Sequence, residues 1–301
     1  MNIDTPPARP LALGQMSEST TTSRSERALL ALLVAFTAAA IAGFAIYAMH
    51  PERVGRVRDG AAAYALAMAL FPRGHIVLGF LALAAVLVRH ARGRYTQTRW
   101  LTALGALYVT SLTSELLGTT LGLPFGPYRY TPGLGPQWFS HVPVLIPLSW
   151  FTMATASFAL TRGWLGVRRP AATIAVASLV LAAWDLVLDP AMSRLTPYWI
   201  WGADGPYYGM PLLNLVGWYV TGLALMGLLV ALRAVQWIDA LPPSALRSLG
   251  IIYAANLALP MGLAIAGGMG GAALAAATVL AATYGAARVL RPRLSPVMVS
   301  Q

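Results

Sequence analysis

Long apolar segments recur along the whole chain, and each is close to the length of a membrane-spanning helix. A helix needs ~20 predominantly apolar residues to cross the hydrocarbon core of a bilayer. The second segment is the weakest, because "PRGH" at residues 72–75 interrupts it, so seven spans is the alternative count. The pattern predicts an all-α fold, a polytopic transmembrane helical bundle with about eight spans. The eight segments are residues 29–49, 61–89, 100–122, 142–162, 170–189, 211–233, 247–267 and 271–289.

Composition supports a membrane protein and argues against nucleic-acid binding. The chain is 57% hydrophobic and 10% charged, whereas about a quarter of the residues in a soluble domain are charged. All 21 basic residues are arginines, and they lie mainly at the ends of the apolar segments. Positive-inside topology explains the net charge of +11, so we expect a lipid bilayer and no nucleic acid as partner. Without cysteine, the chain has no disulfide and no cysteine-ligated metal site.

The arginines also predict the orientation of the chain. From the second segment onward, arginine-rich connections alternate with connections that hold one arginine or none. The positive-inside rule then places both termini in the cytoplasm of a multi-pass protein of the cell (inner) membrane. Residues 1–27, rich in Ser, Thr, Pro and Arg, are predicted to be a disordered cytoplasmic tail. Residues 28–290 form the predicted transmembrane domain, and residues 291–301 a cytoplasmic C-terminal tail.

Three carboxylic acids lie within the predicted spans, at one level of the membrane. Glu115 is in the outer half of the third segment, and Asp185 and Asp189 lie near the outer end of the fifth. Their i, i+4 spacing puts the two aspartates on one helix face, and Asn214 begins the sixth segment from the same side. A charge inside the bilayer costs several kcal/mol, so we predict that these four residues are catalytic. For Asp189, an ion pair with Arg194 at the helix end is the alternative.

Metal and nucleotide chemistry receive no support from the motifs. The four histidines are scattered and show no Glu-x-x-His spacing of the kind that builds binuclear sites in helical bundles. Neither a phosphate-binding loop with lysine nor a serine nucleophile elbow is present. We therefore expect no metal and no cofactor.

Two connections on the predicted outer side share a Gly-Pro-Tyr pattern. "FGPYRYTPGLGP" (125–136) leads to "VPVLIPLSWF", and "GADGPYYGMP" (202–211) leads to "LLNLVGWY". Each follows an acid-bearing segment, which is compatible either with a parallel repeat or with chance in a chain rich in Gly, Pro and aromatics. In both cases we expect rigid, tyrosine-rich loops that cover the acid cluster.

Four stretches, in this order, resemble a known family: "ELLGTTLGLPFGPYRYTPGLGP", "VPVLIPLSWFTM", "WDLVLDPAM" and "GPYYGMPLLNLVGW". They are similar to the membrane carotenoid 1,2-hydratases of the CruF type, which include the bisanhydrobacterioruberin hydratases. The resemblance covers about residues 90–235. "RHARGRY" departs from the His-Gly stretch expected before the third span, which leaves a role for His90 open.

The resemblance implies a cofactor-independent hydro-lyase that adds water across the terminal C1–C2 double bond of an acyclic ψ-end group. Asp185 would protonate C2 and Glu115 would be the partner carboxylate, or the two roles would be exchanged, while Asn214 or Asp189 holds water. The implied partners are an acyclic carotenoid, water and other carotenoid-pathway enzymes. Aromatic faces can stabilise the cation that forms at C1. The expected substrate-binding residues are Tyr128, Tyr130, His141, Trp150, Trp184, Tyr207, Tyr208 and Trp218.

Two other functions would use the same acids. Protonation without capture of water would make the protein a carotenoid or isoprenoid cyclase or isomerase. A proton-coupled membrane transporter would use intramembrane carboxylates as relays, although transporters often show inverted repeats and the repeat hinted at here is parallel.

Overall fold

The computed structural model describes residues 24–56, 58–90, 94–166 and 169–291. These residues form a helical bundle, and π-helical turns at Phe44–Ala48 and Ala191–Leu195 extend its first and sixth helices. The helices are α1 (Arg24–Gly43), α2 (Pro51–Val54), α3 (Gly60–His90), α4 (Arg94–Leu121), α5 (Ile146–Leu165), α6 (Pro170–Pro190), α7 (Leu212–Ala231), α8 (Ala234–Asp239), α9 (Pro243–Ala266) and α10 (Gly270–Leu290).

The all-α class of a polytopic bundle is confirmed, but the number of apolar spans differs from the prediction. Within the described ranges, six helices are long and apolar enough to cross a membrane, rather than about eight. These six are α1 and α6 with their π-helical turns, α3, α7, α9 and α10. Helices α4 and α5 occupy the predicted third and fourth segments but are too polar to count.

The polar residues of α4 and α5 have two different explanations. Helix α5 packs against α3, α4, α6 and α9, and 15 of its 20 residues are buried, so most of its side chains face protein rather than lipid. On α4, hydroxyl groups donate hydrogen bonds to backbone carbonyl oxygens of the preceding turn. Thr113 Oγ1 donates to the Val109 carbonyl oxygen and Thr119 Oγ1 to the Glu115 carbonyl oxygen, both at 2.9 Å. Such bonds satisfy a hydroxyl within its own helix.

The second predicted segment is continuous, which corrects the expected interruption at "PRGH". Helix α3 runs for 31 residues with Pro72 inside it. A buried histidine follows: the ring of His75 is hydrogen-bonded through Nε2 to Thr37 Oγ1 at 2.9 Å. Contacts with a neighbouring helix explain why a helix in a membrane tolerates proline and a polar ring at this point.

The chain ends can be compared with the prediction only in part. Helix α1 begins at Arg24, inside the segment expected to be a disordered tail. The rest of that segment, residues 1–23, and residues 292–301 of the expected C-terminal tail lie outside the described residues.

Short strands cover the end of the bundle where α4 and α6 finish. Strand β1 (Tyr128–Tyr130) pairs antiparallel with β4 (Trp199–Trp201), and β2 (Gln137–Trp138) pairs with β3 (Val142–Pro143). In the first pair Tyr128 lies opposite Trp201 and Tyr130 opposite Trp199. Because side chains two apart on a strand point to the same face, this ladder presents two tyrosines and two tryptophans together.

Helix packing places α7 between α4 and α6, while α5 packs against both α4 and α6 on another side. The side chains of these four helices therefore meet beneath the strands.

Candidate active site

Glu115 is buried, and three aromatic side chains donate hydrogen bonds to its carboxyl group. Trp150 Nε1 donates to Oε1 at 2.7 Å, Tyr130 Oη donates to Oε2 at 2.8 Å, and Tyr128 Oη also donates to Oε2. Glu115 is on α4, Trp150 on α5 and both tyrosines on β1. An ionised carboxylate only accepts hydrogen bonds, so this arrangement matches the charged form.

Two glycines allow the aromatic side chains to come this close. A Cβ at Gly118 would lie 2.8 Å from ring atoms of both Phe125 and Tyr128. A Cβ at Gly217 on α7 would lie 2.7 Å from the Phe125 ring and from the Pro124 carbonyl oxygen. Helices α4 and α7 therefore hold Phe125 between two positions that only glycine can occupy without displacement.

Asp185 and Asp189 lie on one face of α6 and share a partner on α7. Asn214 Nδ2 donates to Asp185 Oδ2 at 2.8 Å and also to Asp189 Oδ2. Because both Oδ2 atoms accept from the same nitrogen, the two carboxyl groups lie close together. Asp185 Oδ1 is buried and has no hydrogen-bond partner among the described residues.

A cavity of about 40 Å³ separates Glu115 from Asp189. Since roughly 10–15 Å³ is enough for one water molecule, the cavity can hold water. Asp185 lies behind Asp189 and does not line it. The residues that line it are Glu115, Phe125, Tyr128, Tyr130, Ile146, Ser149, Trp150, Leu188, Asp189, Trp199, Trp201, Asn214 and Trp218.

Aromatic rings form most of the cavity wall. Trp150 and Trp218 are stacked with ring centroids 4.1 Å apart, and Trp184 meets Trp218 edge-on at 5.7 Å. On the strand side, Tyr128 contacts Trp201 and Tyr130 contacts Trp199, at centroid distances of 5.4 and 5.9 Å. These π faces are suited to a cationic ligand group.

Burial and the nearby charge of Glu115 raise the pKa of both Tyr128 and Tyr130 well above the usual value. Both phenols therefore stay protonated and keep donating to Glu115 through neutral and moderately alkaline pH. Burial also raises the pKa of Tyr207 to about 12.

Most of the residues selected from the sequence meet at this cavity. Glu115, Asp189, Asn214, Tyr128, Tyr130, Trp150 and Trp218 line it. Asp185 and Trp184 support them from behind; the Trp184 indole N–H also donates to the Asn256 carbonyl oxygen at 3.0 Å.

Three predicted substrate-binding residues lie elsewhere. His141 is exposed on the strand-bearing connection. Tyr207 donates to the Leu186 carbonyl oxygen at 2.9 Å, and its ring packs against that of Tyr208 in a turn outside the cavity. The two Gly-Pro-Tyr connections thus place their tyrosines in different environments.

The alternative of an ion pair between Asp189 and Arg194 is not supported. In the part of the chain that the structure describes, Asp189 is hydrogen-bonded to Asn214 and forms no salt bridge with Arg194.

Sequence reasoning missed Phe125, Trp199 and Trp201 as site residues. Trp199 and Trp201 belong to "YWIW" (198–201), whose alternation of aromatic residues is typical of a strand with one aromatic face. That alternation was the signal that could have identified them.

Together, the fold and the site define a polytopic membrane protein whose buried carboxyl groups and aromatic side chains surround a small cavity at one end of a helical bundle. The chain belongs to the carotenoid biosynthesis protein family, whose family model matches residues 73–283. The resemblance seen in the sequence is thereby confirmed.

One relative carries a more specific name. A stretch of 122 residues is 33% identical to bisanhydrobacterioruberin hydratase of Haloarcula japonica. This stretch covers 40% of this chain and 41% of the relative. The match thus spans about two fifths of the relative's length. No solved structure matches the chain.

Proposed function

We propose that the protein is a carotenoid hydratase that adds water across the terminal C1–C2 double bond of an acyclic ψ-end group. The observation that carries this proposal is the meeting of Glu115 and Asp189 at a cavity that can hold water and is walled by aromatic rings. The identity to a bisanhydrobacterioruberin hydratase supports the same reaction class.

The aspartates are the acid in this proposal. Two ionised carboxylates lying this close together would repel strongly, so such a pair holds one proton between its members. Asp185 and Asp189 accept from the same Asn214 Nδ2, and Asp189 is the member that faces the cavity. The pair therefore acts as one acid and delivers its proton to C2 through Asp189, which revises the choice of Asp185 alone as donor.

Glu115 is the base. Protonation of C2 leaves a tertiary cation at C1, and water attacks this carbon as its own proton passes to the Glu115 carboxylate. A proton must then return from Glu115 to the aspartate pair, through water in the cavity, before the next turnover. The π faces of Trp150 and Trp218 stabilise the cation while it exists, and the Glu115 charge adds to this stabilisation.

The cavity must widen before the reaction. A cavity of roughly 150 Å³ accommodates one benzene molecule, so about 40 Å³ is too small for a branched hydrocarbon end group. The aromatic side chains of the wall move apart as the end group binds. Afterwards, the tight fit limits the water that reaches the cation to the molecules already held there.

Product mass tests the proposal directly. The gene is expressed in cells that accumulate an acyclic carotenoid, and the extracted pigments are weighed by mass spectrometry. A product heavier by one water is expected from the full chain and not from an Asp189→Asn/Glu115→Gln double variant. A new product of unchanged mass would show cyclisation or isomerisation instead of hydration. Unchanged pigment would refute hydration and these alternatives alike.

A further inference from the structure

A second and much larger cavity lies at the same end of the bundle. Its volume is about 360 Å³, and it lies between the end of α1, the first half of α3 and the π-helical turn after α6. Phe44 and Tyr47 line it from the end of α1, Ala63, Ala67 and Phe71 from α3, and Met192 from the turn after α6. Among the described residues, none of those that line it carries a charged side chain, so its chemistry suits a hydrocarbon.

The large cavity adjoins the candidate active site. Leu188 lines the small cavity and Met192, one helical turn further along, lines the large one. Tyr198 and Trp199 are consecutive residues of which the first faces the large cavity and the second the small one. The two spaces therefore lie next to each other along the end of α6 and the start of β4. Methionine is unbranched and flexible, so the Met192 side chain can move more easily than the aromatic side chains beside it.

Apolar side chains at and beside the cavity are exposed on the bundle surface. Tyr47, which lines the cavity, is 41% exposed, and Leu66 and Leu70 on α3 are 59% and 52% exposed. Because α1 and α3 are both apolar enough to span a membrane, this exposed surface faces hydrocarbon. A ligand can enter from the bilayer without crossing water.

We propose that this cavity binds the polyene chain of the carotenoid, so that its terminal unit reaches the carboxylates past Met192. Its volume is more than twice the roughly 150 Å³ that accommodates a benzene molecule. Its phenyl and phenol rings offer flat apolar surfaces to a conjugated chain. The identity of the occupant rests on the proposed function, whereas its location rests on the cavity alone.

Ala67→Phe tests the proposal, because it fills the cavity from α3. Ala65→Phe is the matched control: residue 65 is on the same helix, is exposed and does not line the cavity. Two quantities are measured on purified protein: the acyclic C40 carotenoid retained per chain, by visible absorbance, and hydration of that carotenoid. Hydration of a C10 acyclic terpene with the same terminal alkene is measured in parallel. Ala63→Leu, a smaller insertion one turn earlier, is a second variant in case Ala67→Phe does not accumulate.

We expect Ala67→Phe to lower retention and hydration of the C40 substrate by at least about tenfold, as overpacking of an apolar site does. Ala63→Leu should lower them less. Hydration of the C10 terpene, which does not need the large cavity, should stay at the wild-type level in both, and Ala65→Phe should behave as wild type throughout.

Other outcomes separate this proposal from the proposed reaction. If the wild type hydrates the C40 carotenoid and both cavity variants do so equally well, the polyene site is wrong and the reaction stands. If the wild type retains carotenoid in an Ala67-dependent manner but hydrates nothing, the reaction is wrong and the site stands. Loss of bound phospholipid with normal carotenoid retention in Ala67→Phe would identify an acyl chain as the occupant and overturn the proposal.

Discussion

Replacing Asp189 by asparagine removes the cavity-facing acid while preserving the shape of the site. The new amide oxygen can still accept from Asn214 Nδ2, and the new amide N–H can donate to Asp185, whose Oδ1 has no partner among the described residues. The variant therefore keeps the hydrogen bonds of the site but has no acidic proton at residue 189 to donate. Loss of a general acid costs about 10² to 10⁴ in rate, which corresponds to about 3–5 kcal/mol in the activation free energy.

The assay is the initial rate of formation of the hydrated carotenoid in isolated membranes, normalised to protein. Asp204→Asn is the matched control, because Asp204 is an exposed acid outside the cavity. Asp185→Asn should also lower the rate, since it removes the partner with which Asp189 shares its proton. Wild-type rates in Asp189→Asn, at a wild-type protein level, would refute the assignment of the acid.

Three further predictions concern stability, pH and topology. Trp150→Phe leaves Glu115 Oε1 without its donor, so the free energy of unfolding should fall by about 1–3 kcal/mol. A thermal melt in detergent measures this loss of stability. Trp164→Phe is the control for loss of a tryptophan, because it removes an indole that packs edge-on against Tyr284. The raised pKa of Tyr128 makes its contribution to stability complete below the unfolded value of about 10 and progressively lost at higher pH. The melting temperature should therefore fall above that pH, and less steeply in Tyr128→Phe. Reporter fusions after residues 135 and 205 should read outside the cytoplasm, as the arginine pattern indicates; a cytoplasmic signal would reverse the proposed orientation.

The helical part of the site was predictable from sequence because its geometry is local. The i, i+4 spacing of Asp185 and Asp189 fixes a common face of α6, and an acid within an apolar segment is itself a signal of function. Both features could be read without knowing how the helices pack.

The remaining features depend on contacts between distant segments. The pairing of Tyr128 with Trp201 joins connections that are far apart in sequence, and neither strand is long enough for alternation to reveal its partner. The identity of the cavity-facing aspartate depends on how α6 is rotated against α4 and α7, which spacing alone does not fix. The segment that forms α5 was predicted to be a membrane span. Its polar residues are tolerated because most of its side chains face other helices.

A single site has a consequence for carotenoids that carry two ψ-ends. Glu115 and Asp189 meet at one cavity, so one chain can hold only one end group at a time. Hydration of the second end requires the polyene to leave and to bind again in the reverse direction. With substrate in excess, the mono-hydrated carotenoid should therefore accumulate first, and the doubly hydrated product should appear after a lag. A time course followed by chromatography and mass spectrometry tests this order. Simultaneous appearance of both products without a lag would mean that the two ends react before release, which a single cavity of this kind does not permit.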